Sequence, residues 1–224
     1  MKVLVACEES QAVCIAFRKL GHEAYSCDTQ ECSGGHPEWH IKGDVLPLIN
    51  GNKPFITMDG DLHAIVGTWD LLIAFPPCTY LTNAGSVRLR VKGEINKERM
   101  AKAVEAKAFF MKFLEADCQK ICVENPTPGK IHQLPQYTQA IQPWWFGHPY
   151  TKRTCLWLKN LPPLTPTDII REGVTPYVNG GCKDAHGNYR RFQGRNERDP
   201  KTRSKTFLGV AQAMARQWGG DMSG

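Results

Sequence analysis

The strongest pattern along the chain is a series of short apolar runs, each closed by a turn or a polar residue. Val3-Leu4-Val5-Ala6 gives way to Cys7-Glu8-Glu9-Ser10-Gln11, Leu71-Leu72-Ile73 runs into Pro76-Pro77, and Ile121-Cys122-Val123 ends in Glu124-Asn125-Pro126. Continuous apolar runs of this length predict strands buried on both faces. After the first run, Val13, Ala16, Phe17 and Leu20 recur at helical spacing, predicting a helix from Ser10 to a stop at Gly21. A second strand over 23–27 ends at Asp28, and a third precedes Gly43-Asp44. Alternation around Asp59-Gly60 predicts a β-ribbon inserted within 54–70. Residues 87–92 alternate apolar and basic, as a short ribbon or loop with its cations, Arg88 and Arg90, on one side.

Residues 97–116 predict a long helix with one apolar stripe of Met100, Val104, Met111 and Leu114 and a second of Phe109 and Phe113. A strand over 150–158, a Pro-rich linker over 161–166 and a closing helix over 204–218 complete the reading, with Phe207, Val210, Met214 and Trp218 on that helix's inner face. Trp144-Trp145-Phe146 reads as packing. Strands alternating with helices give an α/β protein that begins as a Rossmann-like unit.

At 224 residues the chain can build one sizeable core with a small appended lobe. No apolar run approaches transmembrane length, and the N-terminal run reads as a first strand, not a signal peptide, so the expected location is cytoplasmic. Nine cysteines without regular spacing predict reduced thiols. Cys27, Cys32, His36 and His40 lack the tight spacing of a zinc site, and no metal is expected. The net charge is +6, and between Lys183 and Lys205 eight Lys and Arg stand against three acids. That stretch, with Arg190, Arg191 and Arg195 among aromatic and amide residues, fits either a solvated loop or a polyanion contact.

Candidate chemistry gathers at the predicted strand ends, where open α/β sheets bind ligands. Phe75-Pro76-Pro77-Cys78 stops a buried strand and presents a thiol on a stiff turn, which fits a nucleophile or a buried structural cysteine. Glu124 and Asn125 stand beside a second proline stop, and a carboxylate beside a buried strand needs a partner or a task. Asp28 can accept both hydroxyls of a ribose, and Asp44 can bind an adenine amino group. The first loop lacks the Gly-x-Gly-x-x-Gly fingerprint of pyrophosphate binding, which favours a nucleoside cofactor without a pyrophosphate and points to S-adenosylmethionine.

Pro76-Pro77-Cys78, then Glu124-Asn125-Pro126, then a strand near Arg153 and a terminal helix: in this order the chain resembles the DNA (cytosine-5)-methyltransferases, most closely the small versions encoded by phages. The resemblance covers most of the Rossmann-like part but not 160–203. It implies a Rossmann-like S-adenosylmethionine-dependent methyltransferase fold over 1–160 plus 204–224, with 161–203 as a small basic DNA-recognition insertion. The partner would be double-stranded DNA, with a flipped cytosine, no membrane, and a monomer acting in the bacterial host. Cys78 would add to carbon 6 of cytosine, Glu124 would serve ring nitrogen 3 with Asn125 beside it, and Arg153 would assist. The cofactor would meet Cys7, Glu8 and Ser10 around its methionine part, Asp28 at the ribose, Asp44 and Phe75 at the adenine, and Pro76 and Thr206 nearby. Arg88, Arg90, Arg190, Arg191 and Arg195 would contact DNA.

The chain departs from the family's pattern in two places. Glu8-Glu9-Ser10-Gln11 occupies a loop that is usually glycine-rich, and Cys155 stands where the family carries a second arginine. An amino-methyltransferase, a carbon 5 enzyme moving another one-carbon group, and a non-catalytic DNA-binding module are the competing readings.

Overall fold

The computed structural model describes residues 1–91, 93–177, 181–183, 186, 188–191, 197 and 199–220. Its centre is a seven-stranded sheet made of β1 (Lys2–Ala6), β2 (Glu23–Asp28), β3 (His40–Lys42), β4 (Leu71–Ala74), β5 (Lys120–Pro126), β6 (Gln139–Ile141) and β7 (Thr154–Lys159), in the order β6-β7-β5-β4-β1-β2-β3. The pairs β1–β2, β2–β3, β1–β4 and β4–β5 are parallel, whereas β7 runs antiparallel to both β5 and β6. The first five strands share the order of doubly wound sheets, whose direction of winding reverses between β1 and β4.

The apolar runs are continuous because alternate residues serve two different cores. Leu4, Ala6, Leu72, Ala74, Ile121 and Val123 point to one face, where Phe110 and Phe113 of α2 (Lys97–Leu114) and Trp69 and Phe55 cover them. Val3, Val5, Leu71, Ile73 and Cys122 point to the other, against Val13 and Phe17 of α1 (Ala12–Lys19) and Val210 and Met214 of α3 (Leu208–Met214). The result is a three-layer α/β/α arrangement with the hairpin Pro54–Ile56/Leu62–Ala64 on the α2 side.

Several elements differ from the sequence reading. On α2 the buried residues are Ala103, Phe110 and Phe113, while Val104 is 62% exposed, so the predicted Met100–Val104 stripe is not the inner face. The inner face instead runs through Ala103, Phe110 and Phe113, with Ala106, Phe109, Met111 and Leu114 half-buried at its sides. The closing helix is broken: Pro200–Ser204 forms a short turn capped by Asp199, an extended link follows, and α3 begins at Leu208. Residues 150–158 also divide, because Tyr150–Thr151 pairs with Thr175–Pro176 outside the main sheet. Residues 161–166 are strapped to the core and do not behave as a free linker. Leu164 is buried, Gln139 bonds its carbonyl and amide, and Trp218 Nε1 donates to Pro162 O at 2.9 Å.

Candidate functional site

Every strand whose end the sequence singled out delivers that end to one edge of the sheet. Ala6, Asp28, Lys42 and Ala74 are the last residues of their parallel strands, and Phe75 N extends the β1–β4 pairing by donating to Ala6 O at 2.9 Å. Cys78 leaves this edge on a turn in which its carbonyl accepts from Leu81 N at 3.0 Å and Thr82 N at 3.2 Å. Arg99 of α2 holds that turn from outside. Its guanidinium donates to Thr79 O and Gly85 O, both at 3.2 Å, and lies 5.0 Å from the Tyr80 ring. From β5, Thr127 O accepts Asn83 N, and Gly129 N donates to Leu81 O, both at 2.8 Å. A side chain at position 129 would collide with Ser86, so glycine is required for this docking.

β5 carries Glu124, and strand alternation decides its company. Glu124 shares the face of Cys122, and its register partner Leu156 shares that face from β7. Lys152 and Thr154 have the same parity as Leu156, and with Phe75, Thr206 and Phe207 they line a small pocket beside Glu124. Lys152 is fixed there: its N–H donates to Gln142 Oε1 at 2.9 Å, its Nζ donates to Arg203 O at 2.8 Å, and it stands 5.8 Å from the Phe207 ring. Arg153 and Cys155 have the opposite parity. Arg153 turns outward to donate to Tyr137 Oη at 2.8 Å, and Cys155 is fully buried opposite Asn125. Asn125 is buried on that same far face, with Nδ2 on Pro126 O and Oδ1 without a hydrogen bond. Glu124 thus shares its pocket with Lys152 and Thr154, Cys78 lies within the electrostatic reach of Glu124, Lys152 and Arg203, and Arg153 and Asn125 point away from that group.

The electrostatics follow this grouping. Burial raises the Cys78 thiol above its ordinary pKa, the Glu124 charge raises it further, and Lys152 and Arg203 pull it back. Burial likewise raises the Glu124 carboxyl, opposed by Lys152 and by the Thr154 hydroxyl.

A second group lies at the ends of β1, β2 and β3. The Cys7 thiol is raised by burial and then by the charges of Asp28 and Asp44, and the Cys27 thiol is pushed up to about 12 by the same influences. Asp28 Oδ1 accepts Gln30 N at 2.9 Å, and Asp44 Oδ1 accepts Leu46 N at 3.0 Å. No hydrogen bond among the described residues uses the second oxygen of either carboxylate. The loop between β1 and α1 keeps left-handed backbone at Cys7 and Gln11 without glycine. Gln11 is anchored by its side chain, which donates to His36 O at 2.8 Å and accepts His36 N at 3.1 Å. Glu8 is committed to the fold: it accepts Val13 N at 2.7 Å and Cys14 N at 3.2 Å, capping α1. This differs from its expected place at a cofactor. Ser10 is half-buried in the same loop, and Pro76 is buried behind Phe75.

His40 bonds Ser26 and Gln30 and His36 stacks on Trp39, and among the described residues no group of three His, Cys, Asp or Glu could hold a metal. Arg88 is exposed on the turn Val87–Leu89, and Arg90 begins the neighbouring ribbon strand Arg90–Val91. Arg190 and Arg191 lie on the strand Tyr189–Arg191, paired with Gly181–Lys183, and Arg195 lies outside the described residues. Among the described residues no helix is long and apolar enough to cross a membrane.

Lys152 and Arg203 are the site residues that sequence reasoning missed. The signal for Lys152 was the period-two alternation of 152, 154 and 156, which becomes decisive only once β7 is known to pair with β5.

No protein-family model and no curated protein sequence matches the chain. Among solved structures, one from E. coli described as a "putative DNA modification methyltransferase encoded within prophage Cp" aligns with a TM-score of 0.41 and 12% identity, over 75% of this chain and 51% of that one. The chain thus spans about half the length of that structure, and a likeness at this level identifies neither a family nor an activity.

Proposed function

We propose that the protein is an S-adenosylmethionine-dependent DNA methyltransferase of Rossmann-like fold that modifies carbon 5 of a flipped cytosine, with 161–203 as its small DNA-recognition region. The observation that carries the reading is the shared environment of Cys78 and Glu124 at the ends of adjacent parallel strands, with Lys152 between the carboxylate and the C-terminal segment. A thiol and a raised carboxyl together suit addition to a pyrimidine ring. The Cys78 thiolate forms a bond to carbon 6, and Glu124 gives its proton to ring nitrogen 3, so the ring takes up the electron pair without building charge. Carbon 5 is thereby made nucleophilic. Loss of the carbon 5 proton to water then expels the Cys78 thiolate, and ring nitrogen 3 returns its proton to the Glu124 carboxylate. Reaching the base requires its removal from the duplex.

The cofactor supplies an electrophilic methyl group. The residues present fit it: Asp28 offers a free oxygen to a ribose, Asp44 offers one to an adenine amino group, and Phe75 and Thr206 line the space beside Glu124. Arg88, Arg190 and Arg191 are candidate phosphate contacts.

The test is covalent trapping on duplex DNA containing 5-fluorocytosine. The wild type should give a denaturation-stable adduct, and Cys78→Ser should give none. Wild-type protein that methylates DNA without a trappable adduct, or a Cys78→Ser variant that still methylates an exocyclic nitrogen, overturns the reading.

A further inference from the structure

We propose that His148 is a positioning residue: its neutral imidazole clamps the start of α3, and with it the Phe207 wall of the Glu124 pocket, and its protonation releases that wall. The first turn of a helix leaves N–H groups that need acceptors. α3 continues without a break into the turn Ala215–Gly219, yet its N-cap is Phe207, whose side chain has no acceptor to give. The acceptor comes from a loop far back in the chain, where Gly209 N donates to His148 Nε2 at 2.9 Å. A backbone N–H can only donate, so Nε2 offers its lone pair and the ring proton sits on Nδ1.

The two sides of this contact are held differently. His148 stands on a well-fixed loop: Phe146 is buried, its N–H donates to Pro143 O at 2.9 Å, and Gly147 N donates to Asp168 O at 2.7 Å. Gly209 lies so close to Phe146 O that a side chain there would collide with it. The Phe207 ring packs 5.0 Å from that of His148 and 4.8 Å from that of Tyr177. With Ser204, Lys205 and Thr206 it closes one side of the pocket that Phe75, Glu124 and Thr154 close from the sheet. Ties from 203–205 to the rest of the chain run through long exposed side chains, Lys205 Nζ on Ser33 Oγ at 3.0 Å and Lys152 Nζ on Arg203 O at 2.8 Å.

Protonation of Nε2 takes up the lone pair, sets N–H against N–H and puts a positive charge at a helix N-terminus. Desolvation already holds the imidazole below its ordinary pKa of 6.5, opposed by Asp168. Lys152, Tyr150 and Tyr177 face the clamp across Phe207, and α3 itself carries no titratable group. Once released, the ring titrates near 6.5, so opening should become about tenfold easier for each pH unit below that. The clamp does not depend on the methyltransferase reading.

Amide hydrogen exchange by NMR on the full chain, taken as the ratio of wild type to His148→Gln at each pH, cancels the intrinsic pH dependence of exchange. Glutamine can offer Gly209 a carbonyl oxygen, and it does not titrate. Between pH 7 and pH 5 the protection of Gly209, and of Ala211, which donates to Phe207 O at 3.0 Å, should fall at least tenfold in wild type relative to His148→Gln. His148→Phe should lack that protection at both pH values, and proton–nitrogen correlation spectra should show His148 with its proton on Nδ1 at pH 7. A ratio that does not change with pH, a loss confined to Gly209, or a proton found on Nε2 at pH 7 overturns the inference, as does protection kept by His148→Phe.

Discussion

Replacing Glu8 with glutamine tests how the turn between β1 and α1 is held. The carboxyl is buried, and its two oxygens accept the N–H groups of Val13 and Cys14 in the first turn of the helix. Desolvation pushes its pKa up, the two N–H bonds oppose that, and the charges of Glu9 and Asp28 add to the rise; the balance lifts it from 4.5 to about 7. Between those values the native state binds more protons than the unfolded chain. The stabilisation is therefore complete below pH 4.5, falls as pH rises through 7, and then levels off. Carrying a carboxyl from 4.5 to about 7 corresponds to a loss of about 3 kcal/mol. Glutamine does not titrate, but it keeps one acceptor oxygen in place of two, at a cost of about 1 kcal/mol. The two stability curves should therefore cross. The wild type should be the more stable by about 1 kcal/mol at pH 3.5, the curves should nearly meet a little above pH 5, and the variant should be the more stable by about 2 kcal/mol at pH 8. Urea unfolding in small pH steps, taken as the difference between the two proteins, cancels the other titrating groups. Parallel curves would refute both the burial of the charge and its role as a cap.

Lys152→Met withdraws a cation from beside Cys78 and Glu124, so alkylation of Cys78 by iodoacetamide at pH 8, followed by peptide mass spectrometry, should slow, and Lys152→Arg should restore it. An unchanged rate in the methionine variant removes Lys152 from the site. Glu124→Gln should move the alkylation profile of Cys78 to lower pH while methyl transfer falls by about 10²–10⁴-fold; a move to higher pH contradicts the pairing of the two groups. Arg153→Ala should cost about 1 kcal/mol or less in thermal or urea unfolding, since its main contact is an exposed hydrogen bond to Tyr137, and should leave the Cys78 profile where it was. Neutralising Arg190, Arg191 and Arg195 together should reduce the slope of log affinity for DNA against log salt by about 0.9 for each phosphate contact removed, and an unaltered slope makes that stretch a bystander.

Where the sequence was readable, one residue's environment could be inferred from its neighbours. Leu71-Leu72-Ile73 and Val3-Leu4-Val5-Ala6 are apolar at every position because both faces of their strands are covered, and that pattern needs no partner to be recognised. The placement of Asp28, Asp44, Cys78 and Glu124 along one edge follows from strands read in that way. Arg153 shows the limit. Its side chain points away from Glu124 because β7 runs antiparallel with Leu156 opposite Glu124, and that register is a long-range property no local window contains. Val104 shows another: helical periodicity marks an apolar stripe, but the part of it that is buried depends on where α2 meets the sheet. The break before α3 was hidden for a related reason, since Phe207 is apolar at the right spacing yet serves a pocket wall, not a helix face. Glu8 and Glu9 are indistinguishable by type, and only the path of the loop assigns one to the helix and leaves the other beside Lys201.

For the proposed role of Cys78 as a nucleophile a raised pKa looks like a contradiction, and the grouping of charges removes it. Burial leaves the space around Cys78 and Glu124 better able to hold one negative charge than two, since the Glu124 charge raises the Cys78 thiol. With Glu124 protonated, the carboxylate no longer opposes the thiolate, and the same proton is the one ring nitrogen 3 needs. In the proposed addition, bonding of sulfur to carbon 6 with transfer of that proton to the ring would carry the single negative charge from sulfur to the Glu124 carboxylate. Lys152 and the Thr154 hydroxyl stand at the carboxylate, where the charge arrives. Lys152 is held by Gln142 and the Arg203 carbonyl before any base enters, so little rearrangement is needed as the charge moves. An arginine at position 155 could not supply this, because that position faces the opposite core. Lys152, and not Arg153, is the cation that shares a pocket with Glu124.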